Sequence, residues 1–268
     1  MSCVICSHNR EFASYRFDEF TVRCCGFCGH GVLEPMPTPA EFATLYDKAY
    51  FADHFEHIGP DEPKKSAGCI AREDHRVRSV RRFASTGRIL DVGCGPGYFL
   101  HACKSSFVVT GFDPSRANRE FIRDSLDVEL IHEFDQLAGR RFDVITFWHS
   151  LEHCPDPRAE LARFGGLLAS GGVLLVDVPN HHSIDACMEG KEWPGWDVPF
   201  HCHHFTARSL ELLARQLSLR IVGRKTYHSG YVRNQLARFA LLRPLARPLA
   251  KLFAGSAIML ALHPESSL

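Results

Sequence analysis

Apolar and polar residues alternate in blocks along this chain. Short apolar runs bounded by turn residues fall at 88–92, 107–113, 128–131, 142–147 and 173–178, and read as buried strands. Between them, apolar positions recur at helical spacing over 98–104, 115–125, 157–168 and 206–217. Strand then helix, repeated, predicts an α/β fold with a parallel sheet and helices on both faces. Further apolar runs lie near 219–227 and 257–262. Ahead of the first strand, 66–85 reads as an amphipathic helix and 53–65 as a polar, proline-containing loop. Residues 40–50 read as a helix with Phe42, Leu45, Tyr46 and Tyr50 on one side. The run Pro35-Met36-Pro37-Thr38-Pro39 is a linker, and 12–22 alternates aromatic and polar residues as a small hairpin would.

The strand at 88–92 leads into the most informative stretch, Ile89-Leu90-Asp91-Val92-Gly93-Cys94-Gly95-Pro96-Gly97-Tyr98-Phe99-Leu100. Three glycines at alternate positions carry the backbone from an acid-terminated strand into a helix. A missing Cβ allows tight turns and close approach to a ligand, and the first amides of a helix face the same ligand. A dinucleotide loop carries G-x-G-x-x-G, with its third glycine one residue later than here. Twenty residues beyond Gly93, Val108-Val109-Thr110-Gly111-Phe112-Asp113 ends a second strand in an acid, where a carboxylate can accept ribose hydroxyls. An NAD site, or glycines that only make a turn, is the competing reading.

The spacing G-x-G-x-G after Asp91 resembles the first motif of class I S-adenosylmethionine (SAM) methyltransferases. Phe142-Asp143-Val144-Ile145-Thr146-Phe147-Trp148-His149-Ser150-Leu151-Glu152-His153 resembles the FDvItxWHxLEH motif of a bacterial, type 23-like group of them. Pro155-Asp156-Pro157, Gly171-Gly172-Val173, Val178-Pro179-Asn180 and Asp197-Val198-Pro199-Phe200-His201-Cys202-His203-His204-Phe205-Thr206 match further pieces, as do the N-terminal cysteine pairs. The resemblance extends through residue 227. It implies a Rossmann-like, seven-stranded, mostly parallel sheet with ligands beyond the carboxyl ends of the strands, where Gly93–Gly97, Asp113, His149 and Asn180 fall. Carried over residue by residue, Asp91, Gly93, Gly95 and Gly97 hold the methionine end of SAM, with Cys94, Pro114 and His149 beside it. Asp113 takes the ribose, and Glu133 stands nearest the adenine role. Phe200 and Cys202 occupy positions where the group carries Arg and Leu, so an acceptor preference does not transfer.

Composition adds to this picture in the cysteines. The chain has 268 residues, 45% hydrophobic and 23% charged, typical of a globular protein with a core domain and an appendage. Eleven cysteines without a secretory pattern at the N-terminus read as a reducing, cytoplasmic setting. No apolar stretch is long enough to span a bilayer. Cys3-x-x-Cys6 and Cys25-x-x-Cys28 supply the four thiolates of a structural zinc, with Cys24 a competing ligand. A zinc ribbon over 1–34 follows, then a linker and N-terminal helices over 35–86, then the SAM-binding domain over 87–268. Unpaired or redox cysteines are the alternative. Few basic residues flank the pairs, so bracing fits the ribbon better than nucleic-acid binding.

Sixteen histidines are many. His149, His153, His201 and His204 are the catalytic candidates, because an oxygen acceptor must lose a proton and imidazole suits neutral pH. Similar paired segments hold a divalent metal in ubiquinone-biosynthesis and small-RNA methyltransferases, which implies a second metal at Glu152, His153 and His201 or His204. A metal-free or purely structural role for these residues stays open. Trp193 and Trp196, on a Pro/Gly loop, read as a lid and an aromatic wall for a flat or sugar-like acceptor, with a hydrophobic lid over the core as the alternative.

The zero net charge hides an asymmetry. From Leu212 to Pro264 there is no acid but nine Lys or Arg, with a basic helical insertion at about 229–254. It reads as a cap over a sheet edge, a peripheral membrane contact, or a face for a phosphate-bearing acceptor. The sequence as a whole points to methyl transfer from SAM to a small-molecule hydroxyl, with a sugar or glycan intermediate preferred. An RNA methyltransferase and a non-catalytic SAM-binding or partner-binding scaffold are the alternatives. Oligomeric state is not legible.

Overall fold

The computed structural model describes residues 2–9, 12–45, 63–115 and 119–265. Eleven strands form among them: β1 (Phe12–Phe17), β2 (Phe20–Cys25), β3 (Gly31–Glu34), β4 (Gly87–Val92), β5 (Phe107–Phe112), β6 (Glu129–Ile131), β7 (Phe142–Trp148), β8 (Leu168–Pro179), β9 (His203–His204), β10 (Leu219–His228) and β11 (Ala254–Pro264). Seven of them make one sheet in the order β10-β11-β8-β7-β4-β5-β6. Pairs β4–β5, β4–β7 and β5–β6 are parallel, whereas β10–β11 is antiparallel. The expected Rossmann-like, seven-stranded, mostly parallel sheet is therefore present.

The chain divides into two compact units, Pro37–Ser150 with Ala162–Leu175, and Met1–Met36 with Leu151–Leu161 and Val176–Leu268. The first contains β4 to β7. Its strands are near-continuous apolar runs, as expected for parallel strands covered on both faces: Ile89, Leu90, Phe142, Val144, Ile145 and Phe147 are all fully buried. Phe164, on the helix Pro157–Gly165, packs edge-on against Phe112, Phe134 and Phe147. The expected helix over 66–85 is two helices, Pro63–Arg72 and Asp74–Val80, with Glu73 between them. Residues 63–65 thus belong to a helix rather than a loop. The helix expected over 40–50 is seen as Pro39–Leu45; Tyr46, Tyr50 and 53–62 lie outside the described residues.

The second unit carries an antiparallel sheet in the order β1-β2-β3-β9. The β1–β2 hairpin is the one expected from the alternation at 12–22. Strand β9 was not foreseen: His204 pairs with Gly31 and His203 with Val32. His30 and His203 share a ring-to-ring hydrogen bond of 3.0 Å, and His181 meets the Gly29 carbonyl at 2.6 Å. Thr206 joins two elements, since its hydroxyl donates to the Cys28 carbonyl and accepts from Ser209 N–H, capping the helix Ala207–Gln216.

Trp193 and Trp196 correct the sequence reading. They are 2% and 4% exposed and form a cluster with Val22, Cys24, Leu33 and Ala186. The Trp196 indole N–H donates to the Gly190 carbonyl and that of Trp193 to the Ser256 hydroxyl. These rings are the core beneath β2 and β3, because each hides a large apolar area while its one polar atom is satisfied. They are not an open acceptor wall.

Candidate active site

The glycine loop follows β4 in the first unit. Gly93, Gly95 and Gly97 all adopt left-handed backbone, with φ of 70°, 50° and 77°. At Gly93 the conformation is also enforced by space, since a Cβ would lie 2.5 Å from the Ser150 Cβ. The Ser150 hydroxyl in turn donates to the Val92 carbonyl at 2.6 Å, so the end of β7 closes on the loop. Gly97 ends the loop and opens the helix Tyr98–Cys103. Cys94 is buried beneath the loop, and Gly111 on β5 leaves room for its sulfur, which a Cβ there would meet at 2.7 Å.

Two buried acids flank this loop. Asp113 is 9% exposed; one carboxylate oxygen accepts the Gly95 N–H at 3.0 Å and the other accepts the Ser115 N–H at 2.9 Å. Burial pushes its pKa up to about 6, against the pull of those two amides. Pro114 follows, half-way to the Ser115 amide that holds the carboxylate. Asp91 is 3% exposed and accepts the Thr146 hydroxyl at 2.7 Å. Burial raises its pKa to about 7; the Thr146 bond and Arg76 oppose the rise, while Glu73 and Asp113 add to it. A nearby cation would restore the charge that burial disfavours in an acid held this way.

Arg76 carries no signal of its own in the sequence, being one of five arginines between 72 and 82. It stands on the helix Asp74–Val80, pairs with Glu73 at 3.0 Å, and lies 5.5 Å from the centre of the Trp148 ring. Trp148, at the end of β7, is 5% exposed and packs edge-on against Phe99. His149 follows it, exposed, with φ of 53°. Glu133 caps the turn Phe134–Leu137 through a reciprocal capping box.

The second unit gathers the other histidines. Glu152 is fully buried in the turn Leu151–His153, and its carbonyl accepts the Cys202 N–H. His153 Nδ1 meets the Phe200 carbonyl at 3.1 Å and His201 Nδ1 meets the Gly195 carbonyl at 3.0 Å. A carbonyl only accepts, so each Nδ1 carries a proton and each Nε2 is the ring atom left to meet other groups. His201 Nε2 lies 3.9 Å from a Glu152 oxygen and 3.6 Å from an Asp197 oxygen. Glu152, His153 and His201 bring one ligand atom each within 4.8 Å of one another. Burial, then His201, lowers the His153 pKa to about 4, so this imidazole is neutral at pH 7. His204 lies outside that group. It is buried on β9 against Trp196, and burial followed by its histidine neighbours holds its pKa well below the usual range.

The four N-terminal thiols also converge. Cys3 and Cys28 are 3.6 Å apart, as are Cys6 and Cys25, and all four lie within 4.8 Å. The edge of a zinc–thiolate tetrahedron is about 3.8 Å, so the set fits that ion. The Phe27 N–H donates to Cys25 Sγ at 3.4 Å. Cys24 points elsewhere, into the core with Trp193 and Trp196, and burial pushes its thiol up to about 12.

Known proteins resemble this chain in sequence and fold. A ubiquinone biosynthesis O-methyltransferase of Xanthomonas campestris pv. campestris (strain B100) is 29% identical over 178 residues, 62% of this chain and 71% of that protein. A 27-O-demethylrifamycin SV methyltransferase of Amycolatopsis mediterranei is 29% identical over 175 residues, 56% of this chain and 64% of its own. Among solved structures, a SAM-dependent methyltransferase from Archaeoglobus fulgidus superposes with a TM-score of 0.52 at 18% identity, covering 72% of this chain and 92% of that one. The Burkholderia thailandensis 1,6-didemethyltoxoflavin-N1-methyltransferase, with S-adenosylhomocysteine bound, gives 0.54 at 17% identity, covering 96% and 100%. These structures share the fold. A family model described as a methyltransferase domain matches residues 40–223, well over half of the chain. The chain therefore belongs to the methyltransferase-domain family, as a class I SAM-dependent methyltransferase.

Proposed function

We propose that this enzyme methylates a hydroxyl of a small molecule, with a sugar or glycan intermediate the preferred acceptor. The observation that carries the reading is the set Glu152, His153 and His201, two imidazoles and a carboxyl group brought together in a buried turn and loop. A hydroxyl is a weak nucleophile until its proton is removed, and such a set can assist that removal. The relatives named as O-methyltransferases favour the same choice.

SAM would lie on the glycine loop. Gly93, Gly95 and Gly97 would let the backbone approach the methionine end, with Asp91 placed to take its ammonium and Arg76 its carboxylate. Asp113 would exchange an amide partner for the ribose hydroxyls. Asp91 and Arg76 would thus compensate opposite charges on one ligand and help to orient it. The acceptor oxygen displaces the neutral thioether in line, forming the C–O bond as the S–CH3 bond breaks, and its proton leaves to a base. Positioning can supply about 7–11 kcal/mol of such a barrier.

Glu152, His153 and His201 fit a divalent cation by their donor chemistry, because both histidines are fixed by carbonyls in the tautomer that ligates. Bound there, such an ion would lower the pKa of a coordinated hydroxyl. His149, exposed at the end of β7 three positions before Glu152, is the group we assign to proton removal. His204, buried in strand pairing, has no part in this scheme. Cys3, Cys6, Cys25 and Cys28 would hold a structural zinc that braces the N-terminal sheet.

The test is transfer of isotope-labelled methyl from SAM to a panel of sugar nucleotides, phenols and RNA, with and without divalent metal, in wild type and His201→Ala. We expect an O-methyl product, and at least a tenfold loss of turnover in His201→Ala at unchanged SAM affinity. Label recovered on nitrogen or in RNA, or a His201→Ala variant of full activity, would overturn the assignment.

A further inference from the structure

The connection between β10 and β11 contradicts what a soluble surface requires. Every residue from 237 to 245 is exposed, and the run reads Ala-Arg-Phe-Ala-Leu-Leu-Arg-Pro-Leu. Consecutive exposed apolar residues at this density are not tolerated on a free surface without a function. Eleven large apolar side chains are exposed among the described residues, and six of them (Phe239, Leu241, Leu242, Leu245, Leu252 and Phe253) belong to this one connection. Leu241 is 93% exposed and Leu252 76%.

The segment is not loose chain. At its base, buried Asp185 accepts hydrogen bonds from Ser229 Oγ, Gly230 N, Tyr231 N and Ser256 Oγ. Ser229 caps the helix Gly230–Ala237, and Ala246 and Ala250 are buried under the short helix Ala246–Ala250. Small residues face inward and leucines outward.

Cations are interleaved with this apolar run. Arg238, Arg243, Arg247 and Lys251 fall between its leucines, and no carboxylate occurs from Leu212 to Pro264. A cleft of about 580 Å³ is lined by His228, Arg247, Pro248 and Lys251. The His228 pKa lies below its ordinary value, through burial first and then through Arg233, Arg247 and Lys251, so these cations act on one place. Asp185 is the acid that opposes them there.

We propose that this connection docks on an anionic phospholipid surface, its leucines and phenylalanines entering the headgroup boundary while Arg247, Lys251 and His228 take lipid phosphates. Cations beside protruding aliphatic groups are the chemistry of an interfacial anchor. A second copy of the chain does not fit, because an isologous contact sets the same patch against itself and would oppose cations with no carboxylate available. Free phosphate would need the cleft but not the exposed leucines. The inference is independent of the methyl acceptor, and no residue in it belongs to the SAM site.

The test is co-sedimentation of the full chain with vesicles of phosphatidylcholine alone and of phosphatidylcholine with roughly one third phosphatidylglycerol. Wild type should bind the anionic vesicles, more weakly as salt is raised. Arg247→Gln with Lys251→Gln should weaken binding about twenty-five-fold, near fivefold per charge. Leu241→Ser with Leu245→Ser should weaken it at least tenfold. Both pairs are exposed, and unchanged SAM binding and circular dichroism will show that the variants fold. The proposal is overturned if wild type binds neither vesicle, or if the leucine variant binds as well as wild type. Complete displacement by inorganic phosphate would overturn it too, as would a leucine-dependent dimer in sedimentation velocity without vesicle binding.

Discussion

Asp91 is a residue the fold would be more stable without. It is buried, its pKa stands near 7 instead of 3.8, and its closest polar partner is the Thr146 hydroxyl. Holding that carboxylate ionised at pH 8 corresponds to roughly 4 kcal/mol, an upper bound because water and Arg76 relax the site. Asparagine has the same shape and can still accept from Thr146. Asp91→Asn should therefore stabilise the SAM-free protein by about 1–3 kcal/mol at pH 8, or a rise in Tm of about 2–8 °C.

The pH dependence fixes the mechanism. An acid whose folded pKa is raised contributes stability that is present below its unfolded pKa and lost as pH rises through the folded one. Wild type should lose stability from about pH 4 to 7, Asp113 adding to the lower part of that window. The gain in Asp91→Asn should shrink by more than half between pH 8 and pH 5. Urea denaturation at both pH values measures this, and titration with SAM measures the functional cost, which we expect to be at least tenfold in affinity. A variant less stable than wild type at pH 8, or a gain that does not change with pH, would refute the reasoning.

Gly93→Ala should cost about 2–4 kcal/mol and abolish SAM binding, because its φ of 70° and the Ser150 Cβ at 2.5 Å leave no place for a methyl group; thermal melts and calorimetry check both. Purified protein should contain about one zinc per chain by elemental analysis. Cys25→Ser should lose that zinc and Cys24→Ser keep it, since only Cys25 points at the other thiols. Trp196→Ala should destabilise by about 3–5 kcal/mol in denaturant, as a large cavity would open beneath β2 and β3.

The strands of the large sheet were legible because burial on both faces leaves runs such as Val144–Phe147 almost without polar residues. The glycine loop was legible for a related reason, as only glycine suits its backbone. Non-local pairing was not. Nothing local in His203-His204 announces a strand partner at Gly31 and Val32, about 170 positions away, and two residues carry no periodicity. The tryptophans misled because a Pro/Gly loop normally marks surface. Here the loop folds inward to supply the apolar area that a small sheet cannot provide for itself. Thr146 was invisible as the partner of Asp91, since one hydroxyl within an apolar strand does not alter its pattern. Arg76 was hidden among arginines that face solvent.

The measurement closest to the central claim is calorimetric titration of SAM and of NAD into the purified chain, in wild type and in Asp113→Ala. Asp113 is the acid that ties the glycine loop to β5. The account predicts that SAM binds, NAD does not, and Asp113→Ala weakens SAM at least tenfold. Binding of NAD in place of SAM, or SAM affinity unchanged in Asp113→Ala, would contradict it.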